Sequence, residues 1–173
     1  GDIGGSMKHL RRNLAEMMLR SHVNGLWFQA DPDVFYMRDE KSDLTPEQSQ
    51  LLTGTEGLLG TAFLTSDFAD QWSPAAGSFV RRFWNKAGPR VPRMQHIALM
   101  PDGLPAGLAV AHGDGEYAVG IYNWNEAPLD VTISLNDLRL PEHPTYEVNA
   151  TGPENITLAD GKLSVHGQPG QSL

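Results

Sequence analysis

The sequence contains no cysteine among its 173 residues. Disulfide bonds and thiolate metal sites are therefore excluded. The absence of cysteine fits a reducing compartment, although exported proteins can also lack cysteine. We expect a cytoplasmic protein, with secretion as the alternative.

Runs of basic residues and long apolar segments are also missing. No run of Lys or Arg exceeds the pairs Arg11-Arg12 and Arg81-Arg82, and the formal net charge is −8. Tracking a phosphate backbone needs clustered positive charge, so we expect no nucleic-acid partner. No apolar run approaches the roughly 20 residues of a membrane-spanning helix, and the N-terminus lacks the order of a signal peptide. We therefore expect no membrane partner.

Metal-ligand patterns are absent as well. The six histidines are scattered, without a pair at the spacing typical of metal ligands. The acidic residues around position 32 have no further candidate ligands close by in the sequence. The sequence therefore predicts neither a metal ion nor another cofactor.

Hydrophobic residues make up 40% of the chain, which is enough to bury a core. The first segment predicts a helix that begins after an N-cap at Ser6 and ends at Asn24-Gly25. Its apolar face consists of residues at helical spacing: Met7, Leu10, Leu14, Met17, Met18 and Ser21. A short buried strand over 26–28 is expected next, followed by the loop Asp31-Pro32-Asp33.

A second helix–strand unit follows. Thr45 to Gln48 forms a capping-box sequence with Pro46 at the first helical position, and 61–65 predicts a strand that ends at Ser66-Asp67. The apolar stripe of this helix contains Leu51, Leu52, Thr55, Leu58 and Leu59. Two such units in tandem predict neighbouring strands of a parallel sheet or barrel. A further helix is expected within 71–92.

The pattern changes after about residue 90. Short segments rich in β-branched and aromatic residues alternate with Pro, Gly, Asp and Asn turns, which predicts an antiparallel β-sandwich. These segments are 94–100, 107–112, 117–124, 131–135, 146–149, 156–158 and 163–166. The expected fold class is thus α/β plus all-β, with one unit over 1–90 and a second over 91–173.

Three motifs carry a resemblance to a known family. The stretches 27–38 (WFQADPDVFYMR), 44–47 (LTPE) and 64–68 (LTSDF) resemble the late-barrel region of the melibiase clan of glycoside hydrolases, which includes the α-galactosidases of families 27 and 36. The resemblance implies the last strands of a (β/α)8 TIM barrel, from strand six onward, and then a C-terminal antiparallel β-sandwich. We therefore expect this chain to be the C-terminal part of a longer, homo-oligomeric polypeptide.

The resemblance also implies a function, the hydrolysis of terminal α-galactosides with retention of configuration. Asp2 matches the general acid/base, and Asp31 and Asp33 match residues of the sugar subsite. The clan's nucleophile, an Asp on strand four, would lie upstream, so we expect the isolated chain to be inactive. Trp27 is a further candidate for substrate binding, although its place in a predicted buried strand favours the barrel core over sugar stacking.

Several alternatives stay open at this stage. Asp2 also fits a carboxylate at a helix N-terminus, Asp31 and Asp33 also fit an acidic turn, and Asp67 fits either a substrate contact or a loop cap. Ala30 stands where the clan has Asn, so one amide of the family pattern is missing.

Two other functions are compatible with the pattern. The sequence Asp-Ile-Gly-Gly over 2–5 also resembles a motif of family 31 α-glucosidases. A non-catalytic carbohydrate-binding or structural β-sandwich module is the remaining alternative.

Overall fold

The structure, a computed structural model, describes residues 6–23, 27, 33–38, 42–59, 63–84, 95–99, 105–113, 116–124, 128–141 and 156–167. Its helices within these ranges are α1 (Met7–Arg20), α2 (Pro46–Leu59) and α3 (Pro74–Trp84). The strands are β1 (Gln95–Leu99), β2 (Pro105–Gly113), β3 (Glu116–Ile121), β4 (Leu129–Ser134), β5 (Ile156–Ala159) and β6 (Lys162–Gly167). No helix in these ranges combines the length and the apolar character needed to cross a bilayer.

Helix α1 confirms the predicted amphipathic segment. Leu10, Leu14 and Met18 are fully buried on one face. Ser6 occupies the N-cap position with an extended backbone, but its side chain makes no cap hydrogen bond and its Oγ lies 3.2 Å from His9 Nδ1. The cap is therefore predicted at the right position, but its hydroxyl bonds to none of the helix N–H groups.

The capping box of α2 forms as the sequence predicts. The backbone N–H of Thr45 donates to Gln48 Oε1 at 3.0 Å, and the backbone N–H of Gln48 donates to Thr45 Oγ1 at 3.3 Å. Two of the N–H groups around the helix start are thus satisfied reciprocally. Burial extends around most of this helix and includes residues outside the apolar stripe: Ser49, Thr53, Gly54, Glu56 and Gly57.

Helix α3 begins three residues inside the predicted range of 71–92. It begins at Pro74, and the Ala76 N–H donates to Ser73 Oγ at 3.1 Å. Ser73 therefore acts as the cap and Pro74 supplies a preset backbone angle at the first position. Residues 85–94 lie outside the described part of the chain.

A parallel pairing is present, but it lies further along the chain than expected. Phe35 pairs with Thr65, and the Phe35 N–H donates to the Leu64 carbonyl at 3.0 Å. Helix α2 lies between the paired residues in the sequence, which is the connection that parallel strands need. The pairing follows Asp31-Pro32-Asp33, whereas the sequence predicts a strand that precedes this loop.

The prediction of a buried strand is wrong at Trp27. This residue is in a turn, and its side chain is 85% exposed. Its backbone N–H donates to the Val23 carbonyl at 3.2 Å, so the chain is still turning after the short 3-10 helix Ser21–Val23 that follows α1. An extended, buried conformation is incompatible with this bond. The neighbouring residues 24–26 and 28–32 lie outside the described ranges.

Six of the predicted β segments coincide with strands, and the seventh, 146–149, lies outside the described residues. The strands form two antiparallel sheets, with the orders β1-β2-β3 and β4-β6-β5. Asp160 and Gly161 connect β5 to β6 with φ angles of 50° and 68°. Positive φ at both positions is the type I′ geometry that an Asp-Gly sequence favours.

The sheet β1-β2-β3 separates two cores. On β2, Leu108 and Val110 join the helices in the first core, while Ala109 joins the second core with residues of the other sheet. The period of two in a strand produces this division. The complete barrel and the β-sandwich remain predictions from the resemblance.

Candidate functional site

The described part of the acidic loop begins at Asp33, which has a φ of 76° and is half-buried. The left-handed conformation costs a residue with a side chain roughly 1–2 kcal/mol, least for Asp and Asn. Such a conformation persists where surrounding contacts enforce it. Here Val34 is half-buried, and the three residues after it, Phe35, Tyr36 and Met37, are buried and anchor the backbone that follows Asp33.

Asp67 provides the main anchor. Its Oδ2 accepts hydrogen bonds from the backbone N–H groups of Met37 and Arg38, the second at 3.2 Å, and from Trp72 Nε1 at 2.8 Å. Its Oδ1 accepts a charge-assisted bond from Arg38 Nη1 at 2.8 Å. We call this set of four bonds the Asp67 latch. The Asp67 side chain is 0% exposed, and that of Arg38 is 24% exposed.

The parallel register explains why the latch forms. Pairing of Phe35 with Thr65 places Met37 opposite Asp67, two residues further along both segments. In a continuing parallel ladder the Met37 N–H would bond to a backbone carbonyl of the neighbouring segment. The Asp67 carboxylate takes that position instead. On the other side of the bridge, Thr65 Oγ1 donates to the Phe35 carbonyl at 3.0 Å.

Aromatic packing closes the same region. The ring of Phe35 stacks on Phe63, with centroids 4.3 Å apart, and contacts the Trp72 ring at 6.2 Å. Trp72 therefore contributes both its ring to this apolar cluster and its N–H to the latch. The segments 33–38 and 63–72 are consequently joined by apolar and by charge-assisted contacts.

Tyr36 lies in acidic surroundings. Burial raises the pKa of its phenol, Arg38 lowers it, and the carboxylates of Asp43, Glu56 and Asp33 raise it further. The Arg38 guanidinium carbon lies 5.2 Å from the centre of the Tyr36 ring. Burial and the neighbouring carboxylates therefore favour the neutral form of this phenol.

Sequence reasoning missed Tyr36, and it also missed Glu56. Glu56 is completely buried on α2, between Thr55 and Gly57. A signal was available, since the stretch TGTEG places the carboxylate among small residues in a segment without other charges. Helical periodicity places position 56 beside the apolar stripe, four residues after Leu52 and three before Leu59, but Glu is rarely buried.

The predicted site residues are placed as follows. Asp2 and Asp31 lie outside the described residues, Asp33 lies near Tyr36, and Trp27 is an exposed turn residue. Asp33 precedes the Phe35–Thr65 bridge by two residues, and Asp67 follows it by two. Four residues of extended chain span roughly 13 Å. The two carboxylates therefore lie in different parts of the structure.

Of the two alternatives for Asp67, the structure supports the loop cap. All four donors of the latch belong to the protein, and the carboxylate has no exposed surface. Across the described ranges, no group of three or more acidic or histidine side chains could hold a metal ion.

The chain matches no model of a known protein family, and no curated protein is significantly similar to it. The resemblance to the melibiase clan therefore stays a prediction that rests on the three motifs.

Proposed function

We propose that this chain is the C-terminal part of a retaining glycoside hydrolase that hydrolyses terminal α-galactosides. Asp2 acts as the general acid/base, and Asp31, Asp33 and Trp27 line the sugar subsite. The nucleophile is an Asp of an upstream barrel strand. The chain by itself is inactive, because retention requires two carboxyl groups about 5–5.5 Å apart and only the acid/base belongs to this chain.

The observation that supports this proposal best is the parallel bridge between Phe35 and Thr65. It joins two motifs of the resemblance across helix α2, which lies between them in the sequence. A strand–helix–strand crossover to a parallel neighbour is the repeating unit of a (β/α)8 barrel. An antiparallel contact between these motifs would have argued against the proposal.

The chemistry assigned to Asp2 has two steps. As an acid it protonates the glycosidic oxygen that leaves with the aglycone, and as a base it then removes a proton from the water that releases the sugar from the nucleophile. Asp33 binds sugar hydroxyl groups. Proton transfer therefore depends on Asp2, while affinity for the sugar depends on the segment around Asp33.

The test uses the polypeptide encoded by the complete reading frame. Wild type is expected to hydrolyse an aryl α-galactoside, and proton NMR should show the α-anomer as the first product. Asp2→Asn should lower kcat by about 10²–10⁴-fold on substrates with poor leaving groups, because general acid catalysis contributes factors of this size. The loss in kcat/KM should be smaller with a nitrophenyl leaving group, which needs less protonation, while kcat still falls because the second step lacks its base.

Asp70→Asn provides the matched control, because Asp70 is an exposed residue of the 3-10 turn Ala69–Gln71. It should retain wild-type rates. Full activity of Asp2→Asn on substrates of both kinds would contradict the assignment of the acid/base. Preference for an α-glucoside would favour the family 31 alternative.

A non-catalytic carbohydrate-binding module is the second candidate, favoured by the outer face of the β4-β6-β5 sheet. On this face Thr132 Oγ1 lies 3.0 Å from Ser164 Oγ, and Asp130 pairs with His166 beside them. Titration of the 15N-labelled chain with methyl α-galactoside separates the two candidates. Shifts within 33–38 support the hydrolase subsite, and shifts confined to 130–134 and 162–166 support the module.

A further inference from the structure

The Asp67 latch determines the course of the backbone that carries Asp33. Two of its four donors are the consecutive backbone N–H groups of Met37 and Arg38. Within the described residues, the segment 35–38 has one regular backbone pairing with a neighbouring segment, the bridge between Phe35 and Thr65. The Asp67 carboxylate therefore replaces the next backbone pairing. Without the carboxylate, the N–H groups of Met37 and Arg38 would lose their acceptor.

The link from the latch to Asp33 is short and largely buried. Of the three residues between Met37 and Asp33, Phe35 and Tyr36 are 0% and 5% exposed, and Val34 is half-buried. Asp33 itself has a left-handed φ of 76°, a conformation that its surroundings must enforce. We therefore expect a shift of the backbone at Met37 to displace Asp33.

We propose that Asp67 is a positioning residue for Asp33: its buried carboxylate holds the segment 35–38 so that the Asp33 side chain is fixed for binding sugar hydroxyl groups. This inference rests on the proposed function, because it assigns Asp67 to the affinity of that same sugar subsite. Asp67 makes no contact with the substrate and takes no part in proton transfer.

Kinetics of the full-length polypeptide test the role. Asp67→Asn keeps the shape of the side chain but replaces one acceptor oxygen by a donor. It should raise KM by about tenfold or more, since a misplacement of about 1 Å can cost that much, while kcat changes less than about threefold. Asp70→Asn, an exposed neighbour with the same chemical change, should have the wild-type KM.

A double-mutant cycle shows whether Asp67 acts through Asp33. If it does, Asp33→Asn/Asp67→Asn should have nearly the KM of Asp33→Asn alone, because coupled residues are not additive. Additive effects of the two substitutions would overturn the proposal. A fall in kcat at unchanged KM would also overturn it.

Spectra of the 173-residue chain separate this inference from the proposed function. In Asp67→Asn, the amide resonances of Met37 and Arg38, the Trp72 indole N–H and the resonances of Asp33 should all shift. Unchanged Asp33 resonances would overturn the positioning role even if the enzyme is a galactosidase. Shifted Asp33 resonances would support the structural effect of the latch even if the full-length polypeptide had no galactosidase activity. The absence of activity would refute the proposed function and, with it, the role of Asp67 in sugar affinity.

A second variant covers the case in which Asp67→Asn does not fold. Trp72→Phe removes one donor to Asp67 Oδ2 and retains a ring beside Phe35. It should produce a smaller rise in KM and a smaller shift at Asp33. If neither changes in a folded Trp72→Phe variant, the proposal is refuted.

Discussion

Two glycines show how strongly the effect of one added methyl group on the free energy of unfolding depends on its surroundings. A Cβ atom on Gly120 would lie 2.6 Å from Tyr122 Oη and 2.8 Å from Leu58 Cδ1. A Cβ atom on Gly77, within α3, would find its nearest neighbour at 3.9 Å, at Arg81 Nη2. The absence of a side chain at Gly120 thus allows α2 to pack on β3. Gly77 has room for a methyl group, and its main effect is to raise the conformational entropy of the unfolded chain.

We expect opposite signs for the two alanine substitutions. Gly120→Ala should lower the free energy of unfolding by about 1–3 kcal/mol, because the buried Tyr122 ring is stacked on Trp124 and cannot move without repacking. Gly77→Ala should raise it by about 0.5–1 kcal/mol, through helix propensity. Urea unfolding of both variants measures the difference, and a stabilised Gly120→Ala would show that α2 does not pack on β3 as described.

Tyr122 also makes the stability depend on alkaline pH. Its hydroxyl lies beside Thr55 but lacks a well-formed hydrogen bond, and the Thr55 hydroxyl donates to the Leu51 carbonyl at 2.7 Å. Burial raises the pKa of Tyr122. The folded protein therefore holds the phenol proton to a higher pH than the unfolded chain, in which tyrosine ionises near pH 10.

Tyr122→Phe should reduce the loss of stability at alkaline pH. The contribution of the neutral phenol is fully present below about pH 10 and declines as the pH rises further, because only the unfolded chain then ionises easily. At pH 7 the variant should differ from wild type by less than about 1 kcal/mol, since an unsatisfied hydroxyl adds little. Urea midpoints at pH 7 and pH 11 test this, with Tyr117→Phe as the matched control. An unchanged alkaline loss would contradict the assignment to Tyr122.

Helices α1 and α2 begin with the same kind of residue but are capped differently. Thr45 exchanges two hydrogen bonds with Gln48, whereas the Ser6 hydroxyl is near His9 and caps no N–H group. The sequence predicts both N-cap positions correctly. It could not predict which hydroxyl forms the bond, because that depends on the side-chain conformation and on competing partners.

Removal of the two hydroxyl groups should therefore have unequal effects. Thr45→Ala should lower the free energy of unfolding by about 1 kcal/mol, a typical value for the loss of an N-cap bond. Ser6→Ala, the matched comparison, should change it by less than about 0.5 kcal/mol, as is usual for surface substitutions. Chemical denaturation of the two variants and of Thr45→Ala/Gln48→Ala measures these effects. Equal losses for Ser6 and Thr45 would contradict the described caps.

The molecule as a whole is organised around the sheet β1-β2-β3. Leu108 and Val110 of β2, with Tyr122 and Trp124 just after β3, complete the first core, which otherwise consists of residues before position 85. The opposite face of the sheet contributes Ala109 and Ile121 to the second core. Apolar residues from the first half of the sequence thus pack against apolar residues from the second half in the first core.

Separated halves should not fold independently. A fragment of residues 1–90 loses the sheet that covers Leu10, Leu14 and Leu51, and we expect it to associate and to bind a hydrophobic dye. Mixing it with a fragment of residues 91–173 should restore a cooperative thermal transition. Light scattering and calorimetry test this expectation, and a monodisperse, cooperatively folding 1–90 fragment would refute it.

Local patterns in the sequence determined much of the described part of this protein: its three α-helices, its six strands, the capping box of α2 and the Asp-Gly turn are all encoded by residues close together in the chain. Tertiary structure alone decided that Trp27 is exposed and that Asp67 binds the backbone of Met37 and Arg38. Periodicity and turn chemistry act over a few residues. The latch instead joins residues about thirty positions apart, which only the parallel register of the folded chain brings together.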